Sequence, residues 1–140
     1  MRYLLDSNIL SDGEKRPNPN LIDHLRLRSP ESLFTSSICV MELRSGGGQR
    51  KDSEVFRDRI NSEILSLVGI LPFDFQEAMA AGDILCSLTK AGQFLGIEDI
   101  LIASTALSHR CVMVTANVRH FSRVEALNIE NWLEPVGSGV

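Results

Sequence analysis

Cys111-Val112-Met113-Val114-Thr115 is an apolar, β-branched run with no polar alternation, the composition of a strand covered on both faces. Such a strand exists only inside a layered structure, with other elements packed on each side. Shorter runs repeat the theme. Arg2 to Leu5 ends on Asp6-Ser7-Asn8, Leu33-Phe34-Thr35 runs into Ser36-Ser37, and Gly69 to Phe73 runs into Asp74; each strand candidate is followed by residues that start helices. Helix-period segments stand between them: Leu21 to Leu27, Ile38 to Leu43, Phe75 to Ala91 before Gly92, and the stretch Gly96 to Leu107. Asn128 to Asn131 adds a short edge strand. Strands alternating with helices predict an α/β fold, a three-layer α/β/α sandwich around a parallel sheet of four to five strands.

The punctuation completes the outline. Asp12 to Asn20, with Gly13, Pro17 and Pro19, reads as a loop, and Gly46-Gly47-Gly48 as a helix end and flexible joint. Lys51 to Leu67 has the pattern of an amphipathic helix, and Pro135 to Val140 that of a loose tail. The expectation is one domain over residues 1–134, followed by a tail over 135–140. One sizeable core is what 140 residues can bury. A net charge of −4 provides no global basic field, so any nucleic-acid contact must be local. The odd count of cysteines, Cys39, Cys86 and Cys111, fits reduced thiols in a cytoplasmic protein better than a disulfide framework or a zinc site. An acid as early as Asp6 argues against a secretory signal, and Leu67 to Phe73 is far short of a membrane span.

Two adjacent acids, Glu98 and Asp99, open the apolar stretch Ile100 to Leu107. At about 100° per residue, Ala103 and Ala106 lie within roughly 40° of Asp99, so Asp99 points with the inward face and Glu98 sits on its flank. An inward acid costs desolvation unless something positive meets it, and the fractional charge of a helix N-terminus is too small to offset that cost. Glu42 repeats the situation, sharing a face with Ile38 and Cys39 while Arg44 projects away. Asp6 and Asn117 end strands, and in parallel sheets the ligand crevice lies beyond the carboxyl ends of the strands. Convergence of Asp6, Glu42, Asp99 and Asn117 would give an all-oxygen donor set suited to Mg²⁺ or Mn²⁺, and with it metal-assisted phosphoester hydrolysis.

Four ordered motifs carry a family resemblance: Leu4-Leu5-Asp6-Ser7-Asn8-Ile9-Leu10; Thr35-Ser36-Ser37-Ile38 with Glu42-Leu43-Arg44; Gly96 to Ala103 with Asp99; and Val114 to Phe121 followed by Glu130-Asn131-Trp132. Over nearly its whole length the chain resembles PIN-domain nucleases and, more narrowly, the VapC toxins of type II toxin-antitoxin pairs. The resemblance implies a PIN-like fold and a Mg²⁺- or Mn²⁺-dependent endoribonuclease, with Asp6, Glu42, Asp99 and Asn117 as catalytic residues and Asp6 and Asp99 holding the metal. It also implies a homodimer, an RNA substrate and a cognate antitoxin that pushes a basic side chain into the acidic site. Asn117 stands where family members carry Asp or Asn.

Around those positions, the hydroxyls of Ser7 and Thr115 are candidates to hold a phosphate oxygen or a water, and Arg119 and Arg123, with His120 nearby, form the local basic patch that could receive RNA phosphates. Cys39 reads as a packed neighbour of Glu42 rather than a nucleophile, because no cationic activator stands beside it. His24 and His109 have no acidic company in sequence and read as structural. Two other functions share these features. One is a PIN-type nuclease in RNA processing without an antitoxin. The other is a Mg²⁺-binding receiver-like module with Asp74 as phosphoacceptor, which lacks the expected Lys after the last inner strand, where Thr115-Ala116-Asn117 stands.

Overall fold

Five strands form a single all-parallel sheet in the order β3-β2-β1-β4-β5. The computed structural model describes residues 1–15, 18–48, 55, 58, 62 and 65–137. In chain order these give β1 (Arg2–Leu5), α1 (Ser7–Lys15), α2 (Pro19–Arg26), β2 (Leu33–Ser36), α3 (Ser37–Gly48), β3 (Gly69–Leu71), α4 (Phe75–Lys90), α5 (Ile97–Ser108), β4 (Cys111–Val114), α6 (Val118–Phe121) and β5 (Ile129–Glu130). β1 is central, with Leu4 opposite Phe34 of β2 on one side and Met113 of β4 on the other.

Strand alternation divides the core. Leu4 and Met113 point into a cluster with Ile84, Leu88, Ile100, Ile102 and Ala103 from α4 and α5. Their neighbours Leu5 and Val114 point to the opposite face and join Ile9, Leu10 and Leu21 from α1 and α2, together with Trp132. Apolar layers on both faces make β1 and β4 strands with no solvent side, as the Cys111 to Thr115 run requires. α3 serves both layers, sending Cys39 to one and Leu43 to the other. At the edge of the sheet, a Cβ on Gly69 would stand 2.7 Å from Phe34 Cδ1, so the bare backbone there is what lets β3 lie against β2.

Several boundaries differ from the sequence expectation. α1 continues through Gly13 to Lys15, where a loop was expected from Asp12, and α3 continues through the three glycines to Gly48. In both cases the helix is already anchored by buried residues upstream, Ile9 and Leu10 in α1 and Cys39 and Leu43 in α3, and packing overrides a propensity cost of about 1 kcal/mol per glycine. α2 begins at Pro19, a residue suited to the first helical turn, with Asn18 Oδ1 accepting Asn20 N–H at 2.8 Å. The amphipathic helix expected over 51–67 falls largely outside the described residues; Leu65–Leu67 forms a 3₁₀ turn. Asp74 caps α4 reciprocally, accepting Phe75 N–H at 2.9 Å while Glu77 Oε1 accepts Asp74 N–H at 2.7 Å. No described helix is long and apolar enough to cross a membrane.

Candidate active site

The carboxyl end of β1 is the floor of the site. Asp6 N–H continues the ladder by donating to Val114 O at 2.9 Å, which fixes the residue's backbone just beyond the strand and leaves only 4% of its surface exposed. Its carboxylate is held on both oxygens. Oδ1 accepts Ser7 N–H at 2.9 Å, and Oδ2 accepts the Thr115 hydroxyl at 2.9 Å. Thr115 Oγ1 in turn accepts Asn117 N–H at 3.0 Å, tying the turn after β4 to the same acid. The hydroxyls of Ser7 and Thr115 are candidate ligand contacts in the sequence; in the structure the Ser7 hydroxyl donates to Glu42 and that of Thr115 to Asp6.

α3 brings the second acid. Ser36 Oγ receives Cys39 N–H at 3.0 Å and caps the helix. One turn further on, Glu42 accepts the Ser7 hydroxyl at 3.0 Å through Oε1. Asp6, Cys39 and Glu42 each present a ligand atom, and all of these atoms lie within 4.8 Å of one another. The third acid, Asp99, lies in the first turn of α5, half-buried, with Ile102, Ala103 and Ala106 of the same helix fully buried beneath it. Its charge bears on Asp6, and Glu98, exposed on the flank, bears on both Glu42 and Asp99.

Burial acts on all three acids in the same direction. Burial raises Asp6 above its ordinary value, partly offset by the Thr115 and Ser7 hydrogen bonds, with Asp99 adding to the rise. Burial also pushes Glu42 up to about 7, helped by Glu98 and Asp6, and raises Asp99, where His120 works in the opposite direction. Among the described residues no Lys or Arg pairs with any of the three. Crowded, partly desolvated carboxylates fit a hard divalent ion; Asp6 and Asp99, with Glu42 beside them, are the residues that would hold it.

A pH dependence follows. Without metal, each of these acids binds its proton more tightly in the folded chain than in the unfolded one. The stabilisation is therefore present while they are protonated and is lost as pH rises; for Glu42 the interval runs from 4.5 to about 7. Thermal unfolding in chelator should show a falling Tm across that interval, and Glu42→Gln should flatten the fall. Millimolar Mg²⁺ or Mn²⁺ should raise Tm more above the interval than below it; an equal rise on both sides would contradict the assignment.

The remaining candidates are placed less centrally. Asn117 precedes α6 with its side chain exposed and making no capping bond, and Arg119 and His120 are exposed on α6. Arg123 differs: its Nη1 donates to Phe94 O at 2.7 Å, bracing the loop that leads into α5. Asp74 follows edge strand β3, two strands from β1, and its carboxylate caps α4. His24 is buried, with Nε2 3.0 Å from Glu134 O and its ring stacked on Trp132. His109 is not without acidic company, since its Nε2 lies 3.5 Å from Oε2 of the buried Glu77. Cys39 is buried, and burial pushes its thiol up to about 11. Sequence reasoning missed that its Sγ lies 3.9 Å from Asp6 Oδ1; the three-residue spacing to Glu42 was the available signal.

A parallel α/β sandwich with acids gathered at the end of its central strand defines the class, and comparison with known proteins agrees. The family model of the PIN domain matches residues 3–127, and the chain belongs to that family. It is 32% identical over 133 residues to "Ribonuclease VapC2" of Haemophilus influenzae, a match covering 95% of this chain and 99% of the relative. It is 29% identical over 132 residues to the "tRNA(fMet)-specific endonuclease VapC" of Salmonella typhimurium, covering 94% of this chain and 98% of the relative. Among solved structures, VapBC2 from Rickettsia felis, bound to a DNA fragment from its promoter, superposes with a TM-score of 0.86 at 30% identity, covering 94% of this chain and 99% of that one.

Proposed function

We propose that this chain is a divalent-metal-dependent endoribonuclease and the toxin of a toxin-antitoxin pair. The observation that carries the reading is the gathering of acids just beyond the central strand: Asp6 and Glu42 both bond to Ser7 and bring ligand atoms within 4.8 Å of each other, and the charge of Asp99 on α5 bears on Asp6. A bound Mg²⁺ or Mn²⁺ would supply Lewis acidity toward the phosphodiester and offset the charge that builds as it is hydrolysed. The chain's own residues do the rest. Thr115 and Ser7 fix the Asp6 carboxylate, and Ser7 ties Glu42 to the same floor, so the acids need little reorganisation when substrate arrives. Asn117, exposed just before α6, would offer a neutral amide, and Arg119, exposed on α6, would receive an RNA phosphate. We take residues 1–134 as the nuclease unit; the burial of Trp132 and the contact of Glu134 O with His24 Nε2 support carrying it that far.

The partner assignment draws on relatives described as VapC ribonucleases and as VapBC complexes. A mildly acidic chain with an acidic hollow suits an antitoxin segment that carries a basic side chain. A homodimer acting in the cytoplasm accompanies this reading. Two experiments test it. Purified chain should cleave single-stranded or looped RNA with Mg²⁺ or Mn²⁺ and lose that activity in chelator; full activity in chelator would refute metal dependence. Induction of the chain alone should arrest growth, and co-expression of the neighbouring gene should relieve the arrest. A further expectation concerns Arg119: Arg119→Ala should weaken binding to all RNA sequences alike and reduce the slope of log affinity against log salt by about 0.7, as loss of one phosphate contact does on a single strand. A change confined to one sequence would instead mark Arg119 as a base-reading residue.

A further inference from the structure

The donor set contains one group that a hard-metal site does not call for. Cys39 is fully buried, its Sγ stands 3.9 Å from Asp6 Oδ1, and it belongs with Asp6 and Glu42 to a triangle of ligand atoms no more than 4.8 Å on a side. In a tetrahedral zinc site with metal–sulfur bonds of about 2.3 Å and metal–oxygen bonds of about 2.1 Å, neighbouring S and O atoms lie roughly 3.6 Å apart. The Cys39 to Asp6 separation is already close to that, and Glu42 closes the rest by exchanging its Ser7 hydrogen bond for the metal. Hard ions are indifferent to a thiol at this position, whereas thiophilic ions select it.

We propose that Asp6, Cys39 and Glu42 form a mixed thiolate-carboxylate site that takes Zn²⁺ or Cd²⁺ in place of the hard ion, and that this occupancy silences the nuclease. On binding, the S–H bond breaks, a metal–sulfur bond forms and the proton leaves to solvent; no electron changes hands. Two carboxylates and a thiolate more than neutralise a doubly charged ion, leaving little positive field for a phosphodiester. The silencing rests on the nuclease reading; the ion site itself does not.

Cd²⁺ titration of the full chain, followed by sulfur-to-cadmium charge-transfer absorption in the ultraviolet, tests the site without reference to activity. A saturable band of one ion per chain is expected, retained in Cys86→Ser and Cys111→Ser and lost in Cys39→Ser. Glu42→Gln, which leaves the thiol in place, should weaken Cd²⁺ on the order of 10-fold or more, guarding against a Cys39→Ser chain that merely misfolds. In RNA cleavage with Mg²⁺ or Mn²⁺, the Cd²⁺ concentration that halves the wild-type rate should lie well below that for Cys39→Ser. Absence of the band, its survival in Cys39→Ser, or its loss in Cys86→Ser overturns the ion site. A band in a chain that cuts no RNA supports the site and removes the nuclease reading. Cleavage unaffected by Cd²⁺ in a chain that shows the band overturns the silencing.

Discussion

Asp6→Asn and Asp99→Asn should each reduce RNA cleavage on the order of 1000-fold or more, corresponding to the several kcal/mol of charge stabilisation lost with a metal ligand. The substitutions are nearly isosteric. At Asp6 the amide keeps one of the two acceptors that meet Thr115 and Ser7, at a cost of about 1 to 2 kcal/mol, and removes a charge that burial already disfavours. Both variants should therefore stay folded, and in chelator their Tm should lie close to that of the parent. Cleavage time courses on one RNA, with circular dichroism on the same preparations, separate loss of chemistry from loss of structure. Rates near the parent's in either variant would remove that acid from the catalytic set.

The largest stability effect is expected far from the acids. Trp132 is fully buried, with its ring 5.2 Å from Tyr3, stacked on His24 at 5.4 Å, and covered by the Arg28 guanidinium at 4.4 Å. Its Nε1–H donates to Glu130 Oε1 at 2.9 Å, and Arg28 reaches the same oxygen at 3.4 Å while also donating to His24 O at 2.8 Å. This one side chain thus fastens the segment after β5 to β1 and α2. Trp132→Ala should cost about 3 to 5 kcal/mol. For a chain of this size that corresponds to a Tm lower by roughly 10 to 15 °C. Trp132→Phe, which keeps a ring and loses the N–H, should cost about 1 kcal/mol. A Trp132→Ala Tm within a few degrees of the parent would show that the segment contributes little to the fold.

Local pattern made much of this architecture legible before any coordinates. Strand runs ending on Asp6, Thr35 and Thr115 and the inward azimuths of Glu42 and Asp99 depend on side-chain periodicity, which sequence displays directly. What escaped depends on contacts between distant segments. Glycines at 13 and 46–48 signal breaks, yet α1 and α3 run through them because buried neighbours hold the helices. Arg123 reads as a free cation, but its partner is a backbone carbonyl at Phe94, and no residue type announces such a carbonyl. Glu77 lies in the first turn of α4 and His109 just past the last turn of α5, so their meeting cannot be read from either helix alone. The Cys39 thiol against Asp6 is of the same kind, a packing of α3 on β1 that fixes which side of the helix looks down.

The central position of β1 carries a consequence for synthesis. The first strand made is flanked on one side by β2 and on the other by β4, which follows it by more than a hundred residues. Until Cys111 to Thr115 has left the ribosome, Asp6 has no threonine hydroxyl to hold it and the helix bearing Asp99 has no completed sheet to rest on. On the nuclease reading, a nascent polypeptide of this kind has no assembled cutting edge until β4 has emerged to complete the sheet around β1.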